Sequence, residues 1–371
     1  MLKVLLFGAT GAIGKDLPEL LIRNPEVEVF ATSRRKRKSR WPSQHWIMGN
    51  AHDEAFVFKC LDSIHPDVVV DFMHYPTCSF RSRYRRVLSK TGQYVFLSSC
   101  RVFADCGCTA IREDSPLLVD TVADRTFLST DEYALAKARQ ERLLRDSGCS
   151  NWTIVRPYIT YGEGRFQFQC LEASTLGLRS LQGLSVPYCQ DIADCLTTMT
   201  DGRDVAKMIA GLVLKPRALG ESFNLTSSQH TRWSAIAEIY KRLLGLRFVK
   251  VSQGEYEAIT RTPYQIKYDR SLNRIFDNSK ILAFCNLSQR DLIPLEVGLS
   301  ERLRSFADNP VFYRSDILGN ARMDSFFGER IDLSKLTPPN RFLYFSEKHW
   351  ITRIQFVRKI GLSIVWHFGV K

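Results

Sequence analysis

The stretch Gly8-Ala-Thr-Gly11-Ala-Ile-Gly14 constrains this chain more than any other. It follows the apolar run KVLLF, which reads as a buried strand. It precedes GKDLPELLIRN, whose spacing predicts an amphipathic helix ending near Asn24-Pro25. Gly8 permits a tight turn, Gly11 lets backbone approach an anion, and Gly14 lets helix pack on strand. Backbone amides at the start of that helix, with its dipole, would then favour a diphosphate. A glycine-rich turn without a ligand is the alternative. The position between a first strand and a first helix favours dinucleotide binding. Gly8, Thr10, Gly11, Ala12, Ile13 and Gly14 are the expected contacts.

The first half of the chain alternates β-branched runs with helical patterns. EVEVFATS, DVVVDFM, QYVFLSS and WTIVRP read as strands; HDEAFVFKCLDSI, FRSRYRRVLSKTG and TDEYALAKARQERLLRDSG read as helices. Strands separated by helices imply parallel crossovers, and strands without polar alternation imply a sheet covered on both faces. The expected class is α/β, a doubly wound parallel sheet. Residues 1–165 form this domain, and 190–226 return to it. Residues 166–330 read mainly as a smaller mixed α/β substrate-binding cap. After TPPN, residues 331–371 form a basic, aromatic C-terminal extension. Packing back on the body, or into a homodimer, is the favoured role for that extension. Docking on a membrane surface through Trp350, Trp366 and its cations is the alternative.

The glycine spacing GxxGxxG resembles the extended short-chain dehydrogenase/reductase superfamily, in particular its NAD(P)-dependent sugar-nucleotide epimerase/dehydratase members. Further motifs recur in the same order: DVVVDFM, YVFLSSCRVFA, Tyr133-Ala-Leu-Ala-Lys137, VRPYITYGEG, DGRDVAKMI, ESFNLTSSQHTRWSAIAEIY and FDNSKI. The resemblance spans roughly residues 2–305. It implies a Rossmann sheet, a nicotinamide dinucleotide and a nucleotide-linked sugar substrate. It also implies catalytic roles for Ser99, Tyr133 and Lys137.

Tyr133 and Lys137 are four apart on a helical pattern, so they share a face. A phenol with a pKa of about 10 is a poor base at neutral pH. A neighbouring ammonium favours the phenolate, which can then take a proton from a substrate hydroxyl. By resemblance, Lys137 also holds ribose hydroxyls and Ser99 orients the substrate oxygen. Dehydratases of the family carry Asp-Glu just after this serine. Here the positions are Cys100-Arg101, so that form of dehydration lacks its acid and base. Cys100 reads as a packed small hydrophobe. Simple redox at a carbinol remains, either 4-epimerisation or reduction of a keto-sugar.

The second strand ends VFATS and runs straight into Arg34, Arg35, Lys36, Arg37, Lys38 and Arg40. No acid lies between Glu28 and Asp53. An acid after this strand holds ribose hydroxyls, whereas an arginine accommodates a 2′-phosphate. Arg34 and Arg35 therefore favour NADP over NAD, and Lys36 onward reads as a solvated loop. Asn50 suits either a contact to the adenine or a turn. Tyr161 and Arg165 border the expected substrate cleft, and Arg165 could pair with a diphosphate. Arg156 and Asp204 match family positions but suit structural roles equally.

Net charge is +13, consistent with anionic partners. An RNA-binding protein on the same fold is the competing function, with SFRSRYRRVLSK as its candidate surface. An intact Ser99, Tyr133 and Lys137 argues against it. The ten cysteines have no metal-ligand spacing and follow no secretory leader, so free thiols in a reducing cytoplasm are expected. No run of about 18 apolar residues suggests a membrane span.

Overall fold

The computed structural model describes residues 1–311, 316–334 and 336–349. The remainder of the C-terminal extension, with Trp350 and Trp366, lies outside the described residues. The described residues group into two compact units.

The first unit comprises Met1–Gly162, Leu196–His230 and Leu272–Gly298. It is built on seven parallel strands: β1 (Leu2–Phe7), β2 (Val27–Ser33), β3 (Gln44–Met48), β4 (Val68–Asp71), β5 (Gln93–Leu97), β6 (Trp152–Pro157) and, last in the chain, Glu221–Leu225. Their spatial order is Glu221–Leu225, β6, β5, β4, β1, β2, β3. In register, Leu5 of β1 lies beside Phe30 of β2 on one side and Val69 of β4 on the other. Two short strands, β7 (Ile159–Tyr161) and β8 (Leu196–Asp201), pair in parallel beyond this sheet.

Alternate residues along each strand enter two different cores, as a period of two requires. Val4, Leu6, Val29, Val68 and Val70 pack with Leu17 and Leu21 of α1 (Leu17–Leu21), and with Val205, Ile209 and Leu212 of the helix Gly202–Leu212. Leu5, Phe7, Val69 and Phe96 pack with Val57 and Leu61 of α2 (Glu54–Ile64) and Phe80 and Tyr84 of α3 (Thr77–Ser89). Helices on both faces make this a doubly wound Rossmann sheet. They also explain why the strands read as continuous apolar runs.

Three features differ from the sequence pattern. The helix expected over 14–24 is regular only at Leu17–Leu21. Pro18 has no N–H to donate to Gly14, so the ladder cannot run unbroken through this stretch. Residues 11–16 instead form turns, with Lys15 N–H on the Gly11 carbonyl and Asp16 N–H on that of Ile13. A five-residue helix supplies little dipole. Second, β3 carries the mixed sequence QHWIM and follows a basic loop. It is an edge strand, half-exposed along most of its length, and therefore lacks the apolar signature of the others. Third, residues 272–298 belong with the sheet. Ile281 joins the core there, and Asn278 donates to the Thr226 carbonyl at 2.6 Å.

The second unit comprises Glu163–Cys195, Thr231–Ser271 and the described residues from Leu299 onward. A parallel pair, Ser185–Cys189 with Arg247–Val251, carries a cluster of Phe168, Tyr188, Trp233, Tyr240 and Phe248. Arg179 is fully buried there and bonds Asp324 and Glu329, each at 2.9 Å. The helix Pro338–His349 docks on this centre, where Tyr344 donates to Asp324 at 2.6 Å. Among the described residues, no helix is long and apolar enough to cross a membrane.

Candidate active site

The order of the strands reverses between β1 and β4, so the carboxyl ends of these strands border the crevice of a doubly wound sheet. The glycine turn leaves β1 there. Gly8 has φ +78°, and a side chain would meet Met73 Sδ at 3.0 Å. A Cβ on Gly14 would sit 2.8 Å from Ala9 Cα, so this glycine is required by close packing of the turn on itself. Gly11 is the opposite case. It is exposed, and a Cβ there would find nothing nearer than the Gly8 carbonyl oxygen at 3.8 Å. The turn thus leaves open space beside Gly11, which fits a dinucleotide diphosphate. Thr10 is half-buried, while Ala12 and Ile13 are buried and support the turn from inside. Gly162 and Gly202 both back onto Ala12; a Cβ on Gly202 would fall 2.5 Å from its carbonyl oxygen.

Thr32 near the end of β2 accepts from Gly8 N–H and donates to the Leu6 carbonyl, tying the strand to the turn. Arg34 and Arg35 follow and are exposed; neither pairs with an acid among the described residues. Arg37 folds back differently, donating to Ser33 Oγ and lying over the Trp46 ring. Asn50 is exposed, and its side-chain oxygen accepts from His52 N–H, as a turn residue does.

The third part of the site is the end of β5 and the start of α4 (Tyr133–Arg145). Ser99 is buried, and its Oγ accepts from Arg101 N–H at 3.2 Å, which leaves the hydroxyl hydrogen to donate. Tyr133 opens α4 and is half-buried. Glu132 caps this helix by accepting from Ala134 N–H at 2.7 Å and also pairs with Arg101 at 2.6 Å. The Arg101 guanidinium lies over the Tyr133 ring, 5.3 Å from its centre, and His74 contacts the same ring. Lys137 is buried one turn along. Its ammonium donates to the Leu97 carbonyl at 2.7 Å and the Met73 carbonyl at 3.4 Å. An ammonium has three hydrogens, so one remains. Burial pushes Lys137 down to about 8, against the opposing charges of Asp71 and Glu141.

The remaining candidate residues fall elsewhere. Tyr161 is fully buried within the first unit, where a Cβ on Gly298 would meet its hydroxyl. Arg165 is exposed and belongs to the second unit. Arg156 is buried and makes a two-pronged bond to Glu141 of α4 at 2.6 and 2.8 Å. Asp204 is buried and accepts from Ile293 N–H. Cys100 is wholly buried, its thiol pushed up by burial, and its Sγ donates to the Arg156 carbonyl. Among the described residues, no cluster of three or more His, Cys, Asp or Glu could hold a metal.

Sequence patterns missed the Arg101–Glu132 pair beside Tyr133, which depends on a contact between residues 31 apart.

A family model described as the NAD dependent epimerase/dehydratase family matches residues 4–225. Among solved structures, the chain is similar to dTDP-glucose 4,6-dehydratase from Bacillus anthracis in complex with NAD. The identity is 16%, covering 83% of this chain and 97% of that one, with a TM-score of 0.61. It is also similar to UDP-glucuronic acid 4-epimerase from Bacillus cereus in complex with UDP-glucuronic acid and NAD. That match has 14% identity, covers 82% and 100% of the two chains, and has a TM-score of 0.61. A third is the terminal R domain from the myxalamid PKS-NRPS biosynthetic pathway, at 18% identity, 85% and 93% coverage and a TM-score of 0.60. At these identities the likeness is one of fold. No curated protein sequence matches the chain significantly.

Proposed function

The chain belongs to the NAD dependent epimerase/dehydratase family, and from that premise we propose that it is an NAD(P)-dependent enzyme acting on a nucleotide-linked sugar. The reaction is redox at a carbinol, with Tyr133 as acid and base. The observation that supports this most is the placement of Lys137. It is buried beneath the Tyr133 face of α4 and held by the carbonyl two residues before Ser99.

A nicotinamide dinucleotide, when bound, supplies the hydride acceptor and donor. The open side of the glycine turn at Gly11 would hold its diphosphate. The remaining ammonium hydrogen of Lys137 would hold a ribose hydroxyl. Ser99 donates its hydroxyl hydrogen to the substrate oxygen and fixes it beside Tyr133. The Tyr133 phenolate removes the proton from the substrate hydroxyl during oxidation and returns it during reduction. The Lys137 ammonium one helical turn away favours that phenolate, while the Arg101 guanidinium over the ring is paired with Glu132 and adds little net charge. Arg101 also stands where family dehydratases place a carboxylate, and Glu132 neutralises it. The site therefore suits 4-epimerisation or keto-sugar reduction better than 4,6-dehydration.

Arg34 and Arg35, exposed at the end of β2 with no acid beside them, support NADP as the preferred cofactor. That preference favours net reduction, since an epimerase consumes no reductant. The test is incubation of the purified protein with NADP(H) or NAD(H) and a panel of nucleotide sugars and 4-keto-sugar nucleotides. Cofactor-linked conversion is expected, with loss of at least a hundredfold in Tyr133→Phe. Undiminished turnover in that variant would refute the acid/base assignment.

A further inference from the structure

Asp71 ends β4 at the centre of the sheet and is 3% exposed, yet no step above uses it. Its Oδ1 accepts from Met73 N–H at 3.0 Å, and its Oδ2 accepts from the Tyr94 hydroxyl at 2.9 Å. The Tyr75 hydroxyl adds a longer bond at 3.3 Å. The carboxylate therefore fixes the Phe72–Met73 turn. That turn touches the site twice. Met73 is the neighbour that a side chain on Gly8 would strike, and its carbonyl accepts from the Lys137 ammonium.

We propose that Asp71 is a positioning residue for the Tyr133–Lys137 pair. It pins the turn that backs the glycine loop and supplies the buried negative charge that Lys137 faces across that turn.

The charges around the two groups support this. Burial pushes the Asp71 carboxyl up, while Met73 N–H, the Tyr94 hydroxyl and the Lys137 charge pull it back. Lys137 faces Asp71 from β4 and Glu141 from its own helix, and burial, with the Lys137 charge behind it, holds down His74. Glu141 is already committed to Arg156 through two bonds, so its charge is largely neutralised there. Tyr94 and Tyr75 are held protonated by burial and by Asp71 itself. Arg83 lies over the far side of the Tyr75 ring and donates to the carbonyls of Ala51 and His52. Asp71 is thus the one carboxylate near Lys137, among the described residues, that no arginine neutralises. A charge-neutral residue here would remove the larger of the two opposing charges on a buried ammonium, which raises the cost of keeping it charged.

The catalytic consequence rests on the assignment of Tyr133 and Lys137 above; the effect on Lys137 itself does not. The test reads Lys137 directly. The protein is labelled with ¹³C,¹⁵N-lysine, and the Lys137 Cε resonance is assigned by its loss in Lys137→Arg. It is then titrated in the full chain without cofactor. Asp71→Asn is expected to lower the Lys137 midpoint at least tenfold in proton affinity, and Asp71→Glu to restore most of it. An unchanged midpoint in folded Asp71→Asn would overturn the proposal. Should that variant not fold, the wild-type titration decides. Protonation of Asp71 on acidification must add a second inflection to the Lys137 resonance, and a single inflection overturns the proposal. Normal turnover in Tyr133→Phe alongside a shifted Lys137 midpoint would refute the catalytic assignment and leave this one standing.

Discussion

Two alanine substitutions three residues apart separate binding from folding at the glycine turn. Gly11 has an ordinary φ and open space at its Cβ position. Gly11→Ala is therefore expected to leave stability unchanged or raise it by about 0.4–1 kcal/mol, since alanine restricts the unfolded chain. The added methyl occupies the space into which a diphosphate must come. Loss of one charge-assisted amide bond costs about 1.5–3 kcal/mol. That is roughly a ten- to 150-fold weaker dinucleotide Kd. Gly14→Ala places its methyl within 3.0 Å of three backbone atoms, Ala9 Cα, Ala9 C and Gly8 O. No flexible side chain is there to yield, so overpacking of about 1–3 kcal/mol is expected. Urea unfolding gives the stabilities, and titration followed by nicotinamide fluorescence gives the affinities. Wild-type dinucleotide affinity in Gly11→Ala would refute the placement of the diphosphate on this turn.

Other outcomes follow from the same geometry. Glu141→Gln leaves the buried Arg156 guanidinium without its counter-charge, so a loss of about 3–5 kcal/mol is expected. In urea unfolding, the double variant Glu141→Leu with Arg156→Met should lose less than Glu141→Leu and Arg156→Met lose in sum, and an additive result would refute the pairing. The Glu141 carboxyl is held down, burial being outweighed by Arg156 and Ser98. Its contribution is therefore present above the unfolded carboxylate pKa and lost as pH falls through the folded one. Substituting Arg34 and Arg35 together by alanine should weaken NADP at least tenfold and NAD little, measured as paired Kd values. Lys137 moves stability with pH in the same direction as Glu141, in a higher window. Its folded value of about 8 lies below the ordinary 10.5, so the unfolded chain binds more protons between those limits. Wild-type stability relative to Lys137→Met should therefore rise by about 3 kcal/mol as pH climbs from 8 to 10.5. A flat difference would show that burial does not penalise this ammonium.

The parts of the fold legible in the sequence are those fixed by local rules. β1, β2, β4, β5 and β6 are apolar because both faces are covered, and α4 shows its face through spacing alone. Proline chemistry at residue 18 was equally local, yet its effect on the first helix was masked by the apolar pattern around it. β3 was hidden because an edge strand exposed along one side has no reason to be apolar. The return of residues 272–298 to the sheet was hidden because no short-range signal tells a helix which core it joins.

The site divides in the same way. Gly8, Gly11, Gly14, Tyr133 and Lys137 are visible because the roles proposed for them depend on their spacing. Their environment is not, because it is assembled from residues remote in sequence. Lys137 draws on Met73 and Leu97, 64 and 40 residues away. A lysine that must hold ribose and favour a phenolate must be both buried and charged. Burial alone works against the charge, and Asp71, the lone acid in VVVDFM, is the carboxylate proposed above to offset it. An acid inside an otherwise apolar strand departs from local preference as a glycine in a turn does, and both departures are legible before any contact is known.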